Sequence, residues 1–231
     1  MTLEQLGANL WIADGPVVKA NMEFCYPTRM AVIRLSGGHL MIWSPVAASA
    51  ALVEAVTALG DPRFLVAPNT LHHVFMREWA EAFPSADVYG PRALAQKRSD
   101  IAFSGFLEEE AVAAQWSGEI ECVVVDGNRI MTEVVFFHRD SRTALFTDLI
   151  QHFETGWFSG WRGVVARLDA MQGAEPAVPR KFRIAFTDRA ATREKVRRIL
   201  EWPTEQVLFA HGAPVRHDGQ AFLKRAFAWL Y

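Results

Sequence analysis

Cysteine is almost missing: Cys25 and Cys122 are the only two in 231 residues, far apart and in no CxxC arrangement. That excludes a disulfide framework and a thiolate zinc site, and predicts two reduced, mostly buried thiols. Long apolar runs are missing too. No stretch approaches the roughly 20 consecutive apolar residues of a membrane span, and the opening MTLEQLGANLWIADG has no basic segment leading into a long apolar one. The chain is therefore expected in the cytoplasm, without a membrane partner. Nor is there an excess of charge of one sign: Lys and Arg number 24, Asp and Glu 26, for a formal net charge of −2. Without a basic field or a block of like charge, nucleic acid is not an expected partner, which leaves a small-molecule substrate or ligand. No internal repeat or low-complexity segment interrupts the chain. About half the residues, 51%, are apolar, enough to bury a sizeable core in one domain over 1–231.

The β signals come first. NLWIADG, TRMAVIRL and HLMIWSPV are short apolar or alternating runs broken by Gly, Pro and Asn, the pattern of an antiparallel meander over the first 46 residues. AASAALVEAVTALG then spaces Leu52, Val53, Val56 and Leu59 on one helical face and ends at Gly60. The run RFLVAPN, the helical stripe Val74, Phe75, Trp79, Ala82, Phe83 and the run ADVYG together predict a parallel βαβ crossover. From residue 119 the pattern returns to β: EIECVVVDG, then two apolar runs hinged at His138 to Arg142, read as a hairpin. Residues 151 to 183, rich in Trp, Gly and Pro, read as a covering helix and loop rather than a separate domain. An amphipathic helix capped by Thr187 or Asp188, the buried strand QVLFAHG and a closing helix burying Phe222, Leu223, Ala226, Phe227 and Leu230 complete the chain. The order predicts an α/β fold in four layers, two mixed sheets packed face to face, with helices 47–59, 73–83, 188–201 and 219–230 outside.

The adjacent pair His72 and His73, in LVAPNTLHHVFMREW, stands where a strand ends and a helix is expected. Neighbouring side chains on a strand point to opposite faces and could not share a ligand. On the first turn of a helix they splay by about 100°, near enough to reach one ion, and the positive helix end would keep both rings neutral. The simpler structural alternative has one ring capping the helix and the other packing. Asp148, closing TALFTD, and His211, closing QVLFAH, each terminate a strongly apolar run, a position where site residues collect in sheet proteins.

Taken together, APNTLHH, LFTD and FAHGAP resemble, in order and over nearly the whole chain, the three metal-binding motifs of the metallo-β-lactamase fold superfamily. LVAPN, HH, EW, VVFFHRDSRTALFTDLIQ and VLFAHG more narrowly resemble an uncharacterised branch of metallo-β-lactamase-like proteins. The resemblance implies the fold and a degenerate HxHxDH motif. Pro68 and Thr70 fall where the first two histidines of that motif stand, and Arg129 or a neighbour where the third ligand of the first metal would be. The second-site ligands map onto His72, His73, Asp148 and His211. The resemblance thus implies at most one divalent metal ion, zinc first, with iron or manganese as alternatives, or none. Four protein ligands around a tetrahedral zinc would leave no open position for a nucleophilic water.

Other residues carry less. His39, His138 and His217 sit at turns or in polar stretches and read as solvated, while His152 follows Asp148 closely enough to face the same cleft. Trp157, Phe158 and Trp161 crowd an irregular stretch and are either core or the roof of an apolar pocket. Arg180, Lys181 and Arg183 read as a solvated charge run or an anchor for an anionic substrate. Two function classes follow: a mononuclear metal-dependent hydrolase of an ester, thioester or amide, or a catalytically inactive version of the fold acting as a binding or interaction module.

Overall fold

The computed structural model describes residues 2–231. Seven strands form one sheet: β1 (Glu4–Gly7), β2 (Leu10–Lys19), β3 (Cys25–Arg34), β4 (His39–Trp43), β5 (Asp61–Val66), β6 (Asp87–Gly90) and β7 (Gly105–Phe106), in sequential order. The first four pair antiparallel as the predicted meander. From β4 onward the neighbours are parallel, and the crossovers carry α1 (Ala50–Thr57), α2 (Met76–Ala82) and α3 (Arg92–Lys97). After a short α4 (Glu110–Ala113), the second sheet comprises β8 (Ile120–Val125), β9 (Glu133–His138), β10 (Thr143–Gln151) and β11 (Gln206–His211), in spatial order β11-β10-β9-β8. The excursion between β10 and β11 holds α5 (Gly160–Leu168), α6 (Arg180–Ala185) and α7 (Arg189–Leu200), and α8 (Gly219–Ala226) follows β11.

These sheets stack face to face. Ile33, Met41, Trp43 and Val66 of the first meet Val134, Phe136, Leu145 and Leu208 of the second in one buried cluster. The outer face of the first sheet buries Leu52, Val56, Met76, Trp79 and Leu94 beneath α1 to α3. The outer face of the second buries Val196, Ile199, Phe222, Leu223 and Phe227 beneath α7 and α8. Strands β9 and β10 are covered on both faces, which is why they read as continuous apolar runs instead of alternating ones. The architecture is the expected αββα sandwich of two mixed sheets. Among the described residues no helix is long and apolar enough to cross a membrane.

Several boundaries move. Helix α2 begins at Met76, three residues beyond the expected start, because Asn69 accepts at Oδ1 from the backbone N–H groups of Leu71 and His72 and folds 69–72 into a turn. His72 and His73 therefore lie in a turn, not on a helix. Helix α8 stops at Ala226, and Ala228–Leu230 continue as a separate 3-10 turn. His138 is not solvated: it pairs with Ile120 on one side and Thr143 on the other and is 1% exposed. His39 is exposed, as expected. Both cysteines are free and largely buried, as expected.

Candidate metal centre

Strand β10 carries an unusual irregularity. It runs parallel to β11 up to Phe146, opposite Phe209, and the register resumes only at Gln151, opposite His211, so residues 147–150 face Ala210 alone. The ladder to β9 has already ended at Leu145. Three buried backbone N–H groups would be stranded there, and they have to be paired. The carboxylate of Glu133 accepts all three: Thr147 at 2.8 Å, Asp148 at 2.8 Å and Leu149 at 3.1 Å. This bulge turns Asp148 out of the ladder and into the junction between the sheets. Burial, together with the neighbouring Asp148 charge, pushes the Glu133 carboxyl above its usual range.

The opposite side of the junction is the exit of β5. Val134 donates its N–H to Pro68 O at 2.8 Å, tying that loop to the second sheet. Asn69, fully buried, accepts the Leu71 and His72 N–H groups at Oδ1, and its Nδ2 donates to Asp148 Oδ2 at 2.7 Å and Thr147 Oγ1 at 2.9 Å. One amide thus orients both the histidine turn and the aspartate. Gln151 Nε2 holds the other Asp148 oxygen at 3.0 Å.

His72, Asp148 and His211 converge. His72 Nε2 lies 3.3 Å from His211 Nε2 and 3.2 Å from Asp148 Oδ2, and His211 Nε2 lies 3.3 Å from Asp148 Oδ1. An ion held at about 2.0–2.1 Å by tetrahedrally placed donors needs donors about 3.3–3.4 Å apart, so the spacings suit a single metal. These three residues also form a group whose ligand atoms all lie within 4.8 Å of one another. Their side chains are only 4–8% exposed.

Hydrogen bonding fixes the tautomers. Ser44, in left-handed backbone with φ +52°, donates its hydroxyl proton to Arg29 O at 2.9 Å, so its oxygen is left to accept from His72 Nδ1 at 2.9 Å. His211 donates from Nδ1 to Pro27 O at 2.9 Å. With both Nδ1 atoms directed outward, each Nε2 faces the other ring and the carboxylate, placed to carry a proton or to hold a metal. Three acceptors facing one another in a buried site repel unless a cation, proton or metal, lies among them. Each histidine already has the outer partner that metal-ligating imidazoles use. Burial lowers the His211 pKa, against the pull of Asp148. Burial alone would raise Asp148, but His72 and His211 hold it well below the ordinary carboxylate range.

His73 does not join them. Its Nδ1 lies 2.9 Å from Arg98 Nη1, which also donates to the His73 carbonyl at 2.8 Å. Burial, with the charges of Lys97 and Arg98, lowers its pKa to about 4. Adjacency in sequence placed the two rings in one turn, and the guanidinium at the end of α3 claims the second. At the positions where first-site ligands would stand, Pro68 and Thr70 use their carbonyls to accept from Val134 N and Lys97 Nζ, and Arg129 gives its backbone N–H to Ala185 O. None is hydrogen-bonded to the triad side chains among the described residues.

The suggested cleft residues bond or pack outside the triad. His152 donates its backbone N–H to His211 O, and its Nε2 meets Gly173 O at 2.9 Å. Trp157 donates to Cys25 O, Trp161 packs edge-on against Phe24, and the Arg180 guanidinium caps Leu168 O. The side chains walling the triad are ones the sequence pattern did not single out: Phe153 stacks on His211 at 5.9 Å and Tyr26 leans on it at 5.2 Å. Arg29, paired with Asp14, donates to Phe209 O and to Gly212 O and so clamps the turn after His211. Of the supporting residues, Glu133 had the clearest signal, a lone carboxylate opening a continuously apolar run.

Solved structures with the same architecture are metallo-β-lactamases. One from Hirschia baltica matches with TM-score 0.64 at 12% identity, covering 99% of this chain and 96% of that one. One from Pontibacter korlensis matches at 0.61 and 10%, covering 99% and 98%. FIM-1 from Pseudomonas aeruginosa, solved in its mono-zinc form, matches at 0.61 and 10%, covering 97% and 93%. At these identities the likeness is one of fold. No curated protein matches the chain. The model of a domain of unknown function (DUF4336) matches residues 16–159, more than half of the sequence, and the chain belongs to that family.

Proposed function

We propose that the chain is a metal-dependent hydrolase with one metal, held by His72, Asp148 and His211. The observation that carries this reading is a pair of imidazole nitrogens 3.3 Å apart, each 3.2–3.3 Å from one oxygen of the Asp148 carboxylate, on rings that Ser44 and Pro27 orient from behind. Zinc is the first choice, with iron and manganese as alternatives, since two imidazoles and a carboxylate suit all three. With His73 on Arg98, three protein ligands remain and a tetrahedral ion keeps an open position, which the four-ligand arrangement would have closed. A metal there would polarise a substrate carbonyl or a bound water, the chemistry of ester, thioester or amide hydrolysis. Around it, Asn69 and Gln151 hold the carboxylate, Ser44 and Pro27 hold the rings, and Phe153 and Tyr26 exclude water.

The near-complete burial of the three ligands favours a second reading, a non-catalytic binding module that keeps the metal for structure. A panel of aryl esters, acyl thioesters and acyl amides, tested with zinc-, iron- and manganese-loaded protein, separates the two. The hydrolase reading expects turnover that disappears on metal removal and in Asp148→Asn. Metal uptake without turnover on any of these classes supports the module instead.

A further inference from the structure

Helix α5 faces the wrong way for an ordinary surface helix. Trp161, Val164, Val165 and Leu168 recur at the i, i+3, i+4, i+7 spacing that normally faces a core, yet they are 47%, 52%, 41% and 63% exposed. The residues turned toward the protein are the small Gly163 and Ala166. At about 100° per residue, Arg162 and Arg167 project about 110° to either side of the stripe. Arg162 is anchored to Met22 O and Glu23, which brings the exposed Met22 alongside, whereas Arg167 makes no ion pair among the described residues. The N-terminus of α6 abuts the far end of α5 through Arg180 N–H to Asp169 O, adding Arg180, Lys181 and Arg183 to the same region. Residues 157–185 hold five cations and two carboxylates, in a chain whose net charge is −2.

We propose that α5 and its flanks form a docking surface for an anionic lipid membrane, which they would enter only to interfacial depth. An apolar stripe with tryptophan at one end, arginines on both flanks and excess positive charge is the composition that lies in the headgroup region of a bilayer. Charge selects this occupant over a second copy of the chain: a two-fold contact would set Arg167, Arg180 and Arg183, which make no ion pair among the described residues, against themselves, while Arg162 and Lys181 are paired with Glu23 and Asp169. Trp161 also begins an aromatic series running inward through Phe24 (5.7 Å), Phe158 (5.2 Å) and Phe153 (4.9 Å) to the ring stacked on His211. The docked face is therefore joined to the side of the triad through three phenylalanine rings. The absence of a spanning helix does not bear on such peripheral contact, and the proposal stands whether or not the triad binds metal.

The test is co-sedimentation of the full chain with vesicles of phosphatidylcholine alone, or of phosphatidylcholine and phosphatidylglycerol in equal parts. Binding should occur to the anionic vesicles, shift tryptophan emission to the blue and weaken with salt. Arg167→Gln should lower partitioning by about fivefold, and Trp161→Ser with Leu168→Ser by about tenfold or more. These side chains are half-exposed, so circular dichroism and melting temperature should be unchanged. Failure to bind anionic vesicles, equal binding to neutral ones, or unchanged binding by the double-serine variant would each overturn the proposal. So would a dimer in light scattering that these substitutions dissociate.

Discussion

Replacing Glu133 by Ala removes the acceptor for the N–H groups of Thr147, Asp148 and Leu149, at 2.8, 2.8 and 3.1 Å, in a bulge with no other backbone partner. At about 1–3 kcal/mol for each buried donor left unpaired, the gross loss is about 3–9 kcal/mol. Part is returned, because Glu133 is itself a buried carboxylate beside Asp148, and burial and that neighbour both oppose its charge. The net expectation is about 3–5 kcal/mol, the range for removing one partner of a buried charged network. For a chain of this length that corresponds to a fall in melting temperature of about 6–20 °C. Urea unfolding followed by tryptophan fluorescence gives the free energy directly. Glu133→Gln should be milder but still destabilising, since it preserves volume and one oxygen while turning an NH2 group toward N–H donors. An alanine variant within about 1 kcal/mol of the parent would mean that the bulge amides find other partners, and the account of how Asp148 is positioned would fail.

Two further outcomes follow from the same reasoning. His138 is kept neutral by burial, its pKa lowered below 6.5 despite Asp140 and Glu119. The unfolded chain takes up a proton there that the folded chain refuses, so stability is full above pH 6.5 and lost as pH falls below it; His138→Gln should flatten the dependence of the urea midpoint on pH between 7 and 5, and an unaltered slope would contradict this. Gly212, which follows His211, has φ +140°, and a Cβ there would meet His152 O at 2.5 Å and the Phe209 ring at 2.6 Å; Gly212→Ala should cost about 1–3 kcal/mol in thermal unfolding and weaken metal uptake, and an unchanged melting curve would show that the turn has slack.

Much of the architecture was legible because its strands are short apolar runs separated by turn residues. The meander, the β9–β10 hairpin and the buried β11 all stand where the pattern put them, and His72, Asp148 and His211 came together across 76 and 63 residues of chain. What escaped the sequence depends on partners distant in the chain. His73 was drawn to Arg98 and away from the other three side chains, a contact that periodicity does not encode. The start of α2 was delayed by an Asn69 side chain whose amide also serves Asp148. His138 read as a solvated hairpin tip, yet β9 is an interior strand paired on both sides, so a polar residue at its end is still enclosed. The supporting contacts, of Glu133 with backbone donors freed by a register shift, of Asn69 with the amides of a turn and of Ser44 with a histidine ring, have no signature in hydrophobic periodicity. The short elements α3, α4 and β7 fall below the length at which periodicity speaks.

The geometry of His72, Asp148 and His211 supports one metal on three ligands. That reading is tested most directly by elemental mass spectrometry of untagged protein stripped with chelator, reloaded with zinc and desalted. About one equivalent per chain is expected in the parent and in His73→Ala, and close to none in His72→Ala, Asp148→Asn and His211→Ala, all with native circular dichroism. Two equivalents in the parent, loss of metal in His73→Ala, or full loading of His72→Ala would contradict it.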